Sequence, residues 1–378
     1  MVIMKHKKIL IIANSLWNIY NFRYELVEEL IKNKYQIYII APKSNEAQFF
    51  KKIGCNHYDI KIDRKGKNII NDVIYFFKIY KYISIIKPNL ILSFTIKPNI
   101  YSSIASFFTR TSNIITITGL GSSLINETFS KKIVHFLFKF AINCSNMVFF
   151  QNSYDQKYFI KNICNKKFIS KKISGSGINL IKFKYDRKFK YRKSSVIKIL
   201  MISRILKDKG VYEYLHAAKK ISINFKNIRF YYLGSYDYEN PSFISKSEFE
   251  KLISESGVEY IGYKENVINY ITKSDIVVLP SYREGLPRSL LEAQAIGRPI
   301  ITTNAPGCKD LIVNQSNGYS CKLKNKEDLF KKIELMINIK HKERVKMGQI
   351  GRQIVENKYD QVKVINTYLG EIKKLMVA

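Results

Sequence analysis

The chain predicts two doubly wound α/β domains, on three observations. Short, continuous apolar runs alternate with segments of helical spacing. That rhythm breaks once, between about 174 and 195, and then restarts. The 378 residues exceed what one small core holds.

The elements follow in order. "KILIIAN" (8–14) is an unbroken apolar run, as expected of a strand buried on both faces. "NFRYELVEELIKNK" (21–34) carries Phe22, Leu26, Val27 and Leu30 at helical spacing. "QIYIIAP" (36–42), "NLILSFT" (89–95), "NIITITG" (113–119) and "NMVFFQN" (146–152) continue the strand series. After the break come "VIKILMIS" (196–203), a helix over 210–221, "NIRFYYLG" (227–234), "VEYIG" (258–262), "DIVVLP" (275–280) and "PIITT" (299–303). Strands alternating with helices give parallel sheets covered on both faces. From Asn325 onward the pattern is mostly helical, with charge on the outer faces.

The break itself, "SGSGINLIKFKYDRKFKYRKSS", has glycines, then lysines, then serines, and no clean period. The expected organisation is an N-terminal domain over 1–180, a linker over 181–195 and a C-terminal domain over 196–355. A last helical segment, 356–378, is expected to pack back toward the N-terminal domain. Ligands of such sheets bind at the carboxyl ends of strands. Two facing domains put the natural site in the cleft between them.

Hydrophobic residues at 46% and charged residues at 25% are ordinary for a soluble globular protein, whereas a net charge of +34 is not. Ile, Lys, Asn and Tyr share AT-rich codons, so part of the excess is genomic drift. The rest fits an anionic partner, a membrane surface ahead of nucleic acid. Lys outnumbers Arg, which favours a diffuse field over bidentate reading of bases. The five cysteines, Cys55, Cys144, Cys164, Cys308 and Cys321, form no C-x-x-C and are odd in number, which points to a reducing cytosol. The apolar core of "MVIMKHKKILIIANS" is too short for a signal peptide, and no run long enough to span a bilayer follows. Among the five histidines only His57 lies near a possible co-ligand, Cys55, and that pair is taken as chance at a loop or strand edge.

The stretch "REGLPRSLLEAQAIGRPIITT" (283–303) carries two glutamates eight apart. Pro287 opens a helix, Gly297 ends it and Pro299 prevents its continuation. Leu290, Leu291, Ala293, Ala295 and Ile296 leave the helix almost no polar side, so Glu292 is a buried or half-buried carboxylate that needs partners. Either it pairs with Arg288 one turn away, or it accepts hydrogen bonds from ligand hydroxyls. Glu284 lies in the loop at the helix N-terminus, where backbone N–H groups around Gly285, Leu286 and Arg288 suit a phosphate or a polar sugar. A second loop, in "LMISRILKDKGVYEY" (200–214), sets Arg204 and Lys209 at another strand end. Two such cations make a diphosphate clamp, or else a solvated charged loop.

Taken together, "SRILKDKG" (203–210), the 258–312 segment with its E-x7-E pattern, and "SGSGINLIKF" (174–183) resemble the retaining glycosyltransferases of family 4, which have the GT-B fold. The likeness covers the second half nearly throughout. It implies that Glu292 binds a nucleotide ribose and Glu284 contacts the donor sugar. Arg204 and Lys209 would hold the diphosphate and stabilise the leaving nucleoside diphosphate. Gly262 and Tyr263 would lie near the base, and Gly285 and Leu286 would supply donor contacts. The resemblance implies no cofactor beyond the nucleotide sugar and no metal, and UDP is the nucleotide expected.

The N-terminal half resembles a subgroup that builds polysaccharide on a polyprenyl-diphosphate carrier, as in O-antigen, capsule or glycoprotein glycan assembly. The acceptor candidates there are Asn14, Arg23, Lys97, Gly119 and Gly121, with Lys131 as a further cation. One departure is plain. Many members carry a His in the loop after the strand that here ends in Thr118, and this chain has none nearby. What remains is the front-face route attributed to retaining members, in which the departing phosphate takes the acceptor proton.

A lipid-linked acceptor places the enzyme in the cytoplasm, peripheral on the inner face of the membrane. "DVIYFFKIYKYISIIK" (72–87) and "KKIVHFLFKFAINCSNMVFF" (131–150) interleave aromatic, apolar and basic residues, as interfacial helices do and as core helices with snorkelling lysines also do. Two alternatives stay open. One is an enzyme of the same fold acting on a soluble acceptor, or an epimerase. The other is a non-catalytic basic nucleic-acid-binding protein, although the aromatics fall in apolar runs rather than on a basic face.

Overall fold

A computed structural model of the chain describes residues 7–63, 69–119, 129–163, 168–192, 195–313 and 315–377. The chain packs as two compact units. The first runs to Ser176 and resumes at Val362; the second is Gly177–Gln361.

The first unit is built on a seven-stranded parallel sheet. Its elements are β1 (Lys8–Ile12), α1 (Leu16–Lys32), β2 (Gln36–Ile40), α2 (Ala47–Lys52), β3 (Asn56–Tyr58), α3 (Ile69–Ile86), β4 (Leu90–Phe94), α4 (Ile96–Thr109), β5 (Ser112–Ile117), α5 (Phe129–Asn143), β6 (Met147–Phe150), α6 (Ser153–Asn162) and β7 (Ser170–Lys172). The strand order is β3-β2-β1-β4-β5-β6-β7. β1 and β4 pair in parallel, Ile9 beside Leu90 and Ile12 beside Ser93. Ile9, Leu10, Ile11 and Ile12 are all fully buried, which is why the run is apolar without alternation. Ser15 starts α1 by accepting from the Asn18 N–H at 3.1 Å.

The second unit repeats the architecture with β8 (Ile197–Ile202), α7 (Val211–Asn224), β9 (Ile228–Leu233), α8 (Lys246–Ser256), β10 (Val258–Gly262), α9 (Ile268–Lys273), β11 (Ile276–Leu279), α10 (Arg288–Ile296), β12 (Ile300–Thr303), β13 (Gly318–Cys321), α11 (Lys326–Asn338) and α12 (His341–Lys358). The order is β10-β9-β8-β11-β12-β13, all parallel. Each sheet therefore changes winding direction once, between β1 and β4 and between β8 and β11. A doubly wound sheet opens a crevice at that point.

The expected GT-B fold class of two Rossmann-like domains is what is found. The edge strands β3, β7 and β13 carry no clear sequence signal. They are three or four residues long and read "NHY", "SKK" and "GYSC". His57 sits in β3, where its Nε2 meets the Ala41 carbonyl at 2.8 Å.

The 181–192 stretch, expected as part of a linker, lies with the second unit. Phe189 is buried there, with the Arg298 guanidinium 4.0 Å from its ring centroid. Arg298 is fully buried, pairs with Asp186 and donates through Nε to the Ser274 carbonyl at 2.8 Å. Arg192 joins the same cluster through Asp275 at 3.0 Å. The last helix, α13 (Gln361–Val377), sets Val364, Tyr368 and Ile372 into the core of the first unit, where the Tyr368 hydroxyl lies 2.7 Å from that of Thr116. Among the described residues no helix is long and apolar enough to cross a membrane.

Candidate functional site

The loops that follow β8 and β11 meet at the switch point of the second sheet. Arg204 stands two residues beyond β8, and Lys209 ends the turn that leads into α7. Gly210 makes this turn possible. Its φ is +74°, and a Cβ there would come within 2.2 Å of the Pro280 carbonyl oxygen. The close approach seats the β8 loop on the end of β11. Tyr282 N–H reinforces it by donating to the Asp208 carbonyl at 2.8 Å, and the Ser281 hydroxyl donates to the same oxygen at 3.2 Å.

Across this seam Lys209 Nζ lies 2.7 Å from Glu284 Oε1, and both side chains are mostly buried. Asp208 stands beside them. Burial pushes its carboxyl up, Lys209 opposes the rise and Glu284 adds to it. The Glu284 N–H donates to the Pro306 carbonyl at 3.2 Å. Gly307 packs so closely that a Cβ would meet the Glu284 carbonyl oxygen at 2.3 Å. The carboxylate is thus carried on a loop held from two sides. Arg204, by contrast, is half exposed and pairs with Asp237 in the loop after β9.

Glu292 sits in the second turn of α10 and is 8% exposed. Its Oε1 accepts from Arg288 Nε at 3.0 Å, so the one-turn ion pair is present. Burial pushes the carboxyl above its usual range, while Arg288 and then Lys182 pull it back. Gly297 ends the helix in the left-handed conformation, with the Tyr185 ring where a Cβ would stand. Gly262 closes β10 at φ +80° with open space on its Cβ side, and the exposed Tyr263 follows it. Gly285 and Leu286 are half-buried in the loop before α10.

The acceptor candidates fall in the first unit. Asn14 follows β1, and Lys97 is in the first turn of α4, so both flank that unit's switch point. Lys97 is ion-paired with Asp72 of α3. Gly119 follows β5 with φ +133°. Arg23 is 3% exposed: its guanidinium lies 4.6 Å from the Phe94 ring centroid, and Tyr368 is a hydrogen-bond partner. It is built into the core beneath α13 and does not present a surface cation. Gly121 and the Lys131 side chain lie outside the described residues.

Residues 183–354 match the family described as Glycosyl transferases group 1, and residues 8–152 match Glycosyl transferase 4-like. The capsular polysaccharide biosynthesis glycosyltransferase CapM of Staphylococcus aureus is 30% identical over 301 residues, 75% of this chain and 78% of that protein. The chain belongs to the group 1 glycosyltransferases. A second relative is the N,N'-diacetylbacillosaminyl-diphospho-undecaprenol alpha-1,3-N-acetylgalactosaminyltransferase of Campylobacter jejuni. It is 29% identical over 334 residues, 85% of this chain and 86% of its own length. Among solved structures, Anabaena HepE in complex with UDP and glucose superimposes with a TM-score of 0.78 at 15% identity, over 98% of this chain and all of that one.

Sequence reasoning missed several groups of this glycosyltransferase. The Tyr282 hydroxyl donates to Glu213 Oε1 at 2.7 Å. Glu213 Oε2 and Asp208 Oδ1 are buried with no hydrogen-bond partner among the described residues. Tyr282 immediately precedes the 283–303 stretch, but nothing in spacing links it to Glu213 in α7. In the first unit Thr95 adopts φ +74° at the end of β4, a conformation costly for a β-branched residue, and its Oγ1 is buried without a partner among the described residues. Only backbone geometry reveals it. No cluster of three or more metal-ligating side chains occurs among the described residues.

Proposed function

We propose that this glycosyltransferase moves a hexose or N-acetylhexosamine from a UDP-sugar to a sugar carried on a polyprenyl diphosphate, with retention of anomeric configuration and without a metal. The carrying observation is the Lys209–Glu284 pair, set at the switch point of the second sheet on two loops that pack directly on each other. Arg204 and Lys209 hold the diphosphate, and their charge stabilises the one that develops as UDP leaves. Glu284 orients the donor sugar through its hydroxyls, and Glu292 accepts from the ribose. The first unit supplies the acceptor contacts, with Asn14, Lys97 and Gly119 as candidates.

In the step itself the bond between the anomeric carbon and the diphosphate oxygen breaks. The acceptor hydroxyl oxygen bonds the same carbon on the same face, and its proton passes to the departing diphosphate. The lipid carrier is proposed from the Campylobacter relative, whose name specifies an undecaprenol-linked acceptor. An enzyme on such a substrate works at the membrane surface, on the cytoplasmic side.

The experiment is a panel of radiolabelled nucleotide sugars offered with a polyprenyl-diphosphate-linked sugar, in the presence and absence of a chelator. The proposal expects label in the organic-soluble fraction, undiminished by chelation, with the donor's anomeric configuration by NMR. Label appearing only in water-soluble product would favour the soluble-acceptor alternative, and an inverted product would reject the front-face step.

A further inference from the structure

The first unit carries one face whose chemistry the reaction does not use. α3, α4 and α5 lie in one layer, since α4 packs against both of its neighbours. α3 turns Tyr75, Ile79, Ile83 and Ile86 inward, and α5 does so with Phe138, Ala141 and Ile142. Their outward positions should then be polar. Instead Ile69 and Phe77 of α3, Phe107 and Phe108 of α4, and Phe136 of α5 are each between 59% and 72% exposed. Five large apolar side chains on one layer are more than a scatter of single exposed residues.

The charge on this face is as one-sided. Lys78, Lys81, Lys87, Arg110, Lys132 and Lys139 are all exposed around the apolar residues. Between residues 69 and 163 the described chain has only two carboxylates. Asp72 is tied to Lys97, and Asp155 is fully buried and accepts from Asn152 at 2.9 Å. A groove between α3 and the end of α4, about 590 Å³, sets Lys87 and Arg110 beside Phe108.

We propose that the α3–α4–α5 face docks on an anionic lipid bilayer, its aromatic and aliphatic side chains entering the headgroup region while the lysines meet lipid phosphates. This rests on the proposed lipid-linked reaction and names the surface that holds the enzyme at its substrate. The mixture of exposed aromatics with uncompensated cations is what separates a bilayer from other occupants. A second copy would bring lysines against lysines, and no exposed carboxylate on the described part of the face could answer them. Interfacial helices have this composition because apolar burial and attraction to anionic headgroups act together. Of the two segments singled out in the sequence, 72–87 falls almost wholly in α3 and the first part of 131–150 in α5, both on this surface, whereas Met147–Phe150 is the buried strand β6.

The test is co-sedimentation of the full chain with phosphatidylglycerol-containing vesicles and with phosphatidylcholine alone. Binding is expected to the first, falling at high salt, with little to the second. Phe77→Ser with Phe136→Ser is expected to weaken it by about tenfold or more. Lys78→Glu with Lys132→Glu should abolish the preference for anionic lipid, while Ile223→Ser, on the second unit, should change nothing. Hydrogen exchange on the unmutated protein, which does not depend on any variant folding, should slow over α3 and α5 when vesicles are added. UDP binding is measured in every form. Intact UDP binding without vesicle binding overturns the docking face and leaves the proposed reaction standing. Loss of UDP binding in the unmutated protein removes the reaction independently of the vesicle result. If the serine variants instead dissociate a dimer in vesicle-free solution, the face joins two copies and the bilayer proposal is wrong.

Discussion

Lys209 Nζ and Glu284 Oε1 stand 2.7 Å apart although 75 residues separate them in the chain. The pairing exists because β8 and β11 are sheet neighbours and their following loops converge. In the proposed reaction the cation faces the leaving diphosphate and the carboxylate faces the sugar. Glu284→Gln and Lys209→Ala should each lower kcat by about 100-fold or more, since both act on charge or orientation at the reacting centre. Steady-state kinetics on purified variants checks this, and losses confined to KM would reassign both residues to ground-state binding.

Glu292 offers a prediction about pH. Burial raises its folded-state pKa above that of the unfolded chain. In the window between the two values the folded state holds the proton and the unfolded state does not. Stability associated with Glu292 is therefore present below the unfolded value and declines as pH rises through the folded one. Glu292→Gln removes that decline. The variant should melt no lower than the parent at neutral pH, yet bind UDP about tenfold more weakly, because a carboxylate accepts ribose hydroxyls better than an amide. Thermal melts across pH and calorimetric titration with UDP separate the two effects.

Tyr282 lies two residues before Glu284, and its bonds help to fix the loop that carries that carboxylate. Its phenol caps Glu213 and its backbone N–H holds the Asp208 carbonyl. Tyr282→Phe leaves a buried carboxylate with one partner fewer, and should cost about 1–3 kcal/mol of stability. Activity should fall mainly in kcat, with KM for the donor little changed. Glu213→Gln alone, whose amide oxygen still accepts from the Tyr282 hydroxyl, should keep most of both.

The glycines of the site differ in a way that mutation can read. Gly210 and Gly262 both have positive φ, but only Gly210 has backbone in the way of a Cβ. Gly210→Ala should destabilise by about 2–4 kcal/mol from strain and overpacking together. Gly262→Ala should cost about 1 kcal/mol, the conformational part alone. Denaturant unfolding of the two variants compares them directly.

Much of this fold is legible in the chain because its central strands are buried on both faces. Ile9–Ile12 of β1 and all of β11 read as unbroken Ile, Leu and Val runs for that reason, and β8 is interrupted only by Lys198 and Met201. Among the edge strands, β3, β7 and β13 are bonded on one side only and are too short to need such a run, so composition does not mark them, whereas the longer edge strand β10 does read as a strand. The site divides along the same line. Lys209, Glu284 and Glu292 stand out locally, and the Arg288–Glu292 pair follows from one helical turn. The Lys209–Glu284 and Arg204–Asp237 pairs do not, because only sheet order brings those loops together. Arg23 shows the opposite failure. On a helix rich in polar residues it looks like a surface cation, and only the docking of α13, more than 300 residues away in the chain, buries it against Phe94 and Tyr368.

Calorimetric titration of the full chain with UDP tests the second unit as a nucleotide-sugar site. Saturable one-to-one binding is expected, weakened about tenfold or more in Lys209→Ala and in Glu292→Ala. Failure of UDP and other nucleoside diphosphates to bind, with tight binding of an oligonucleotide at physiological salt in their place, would contradict it.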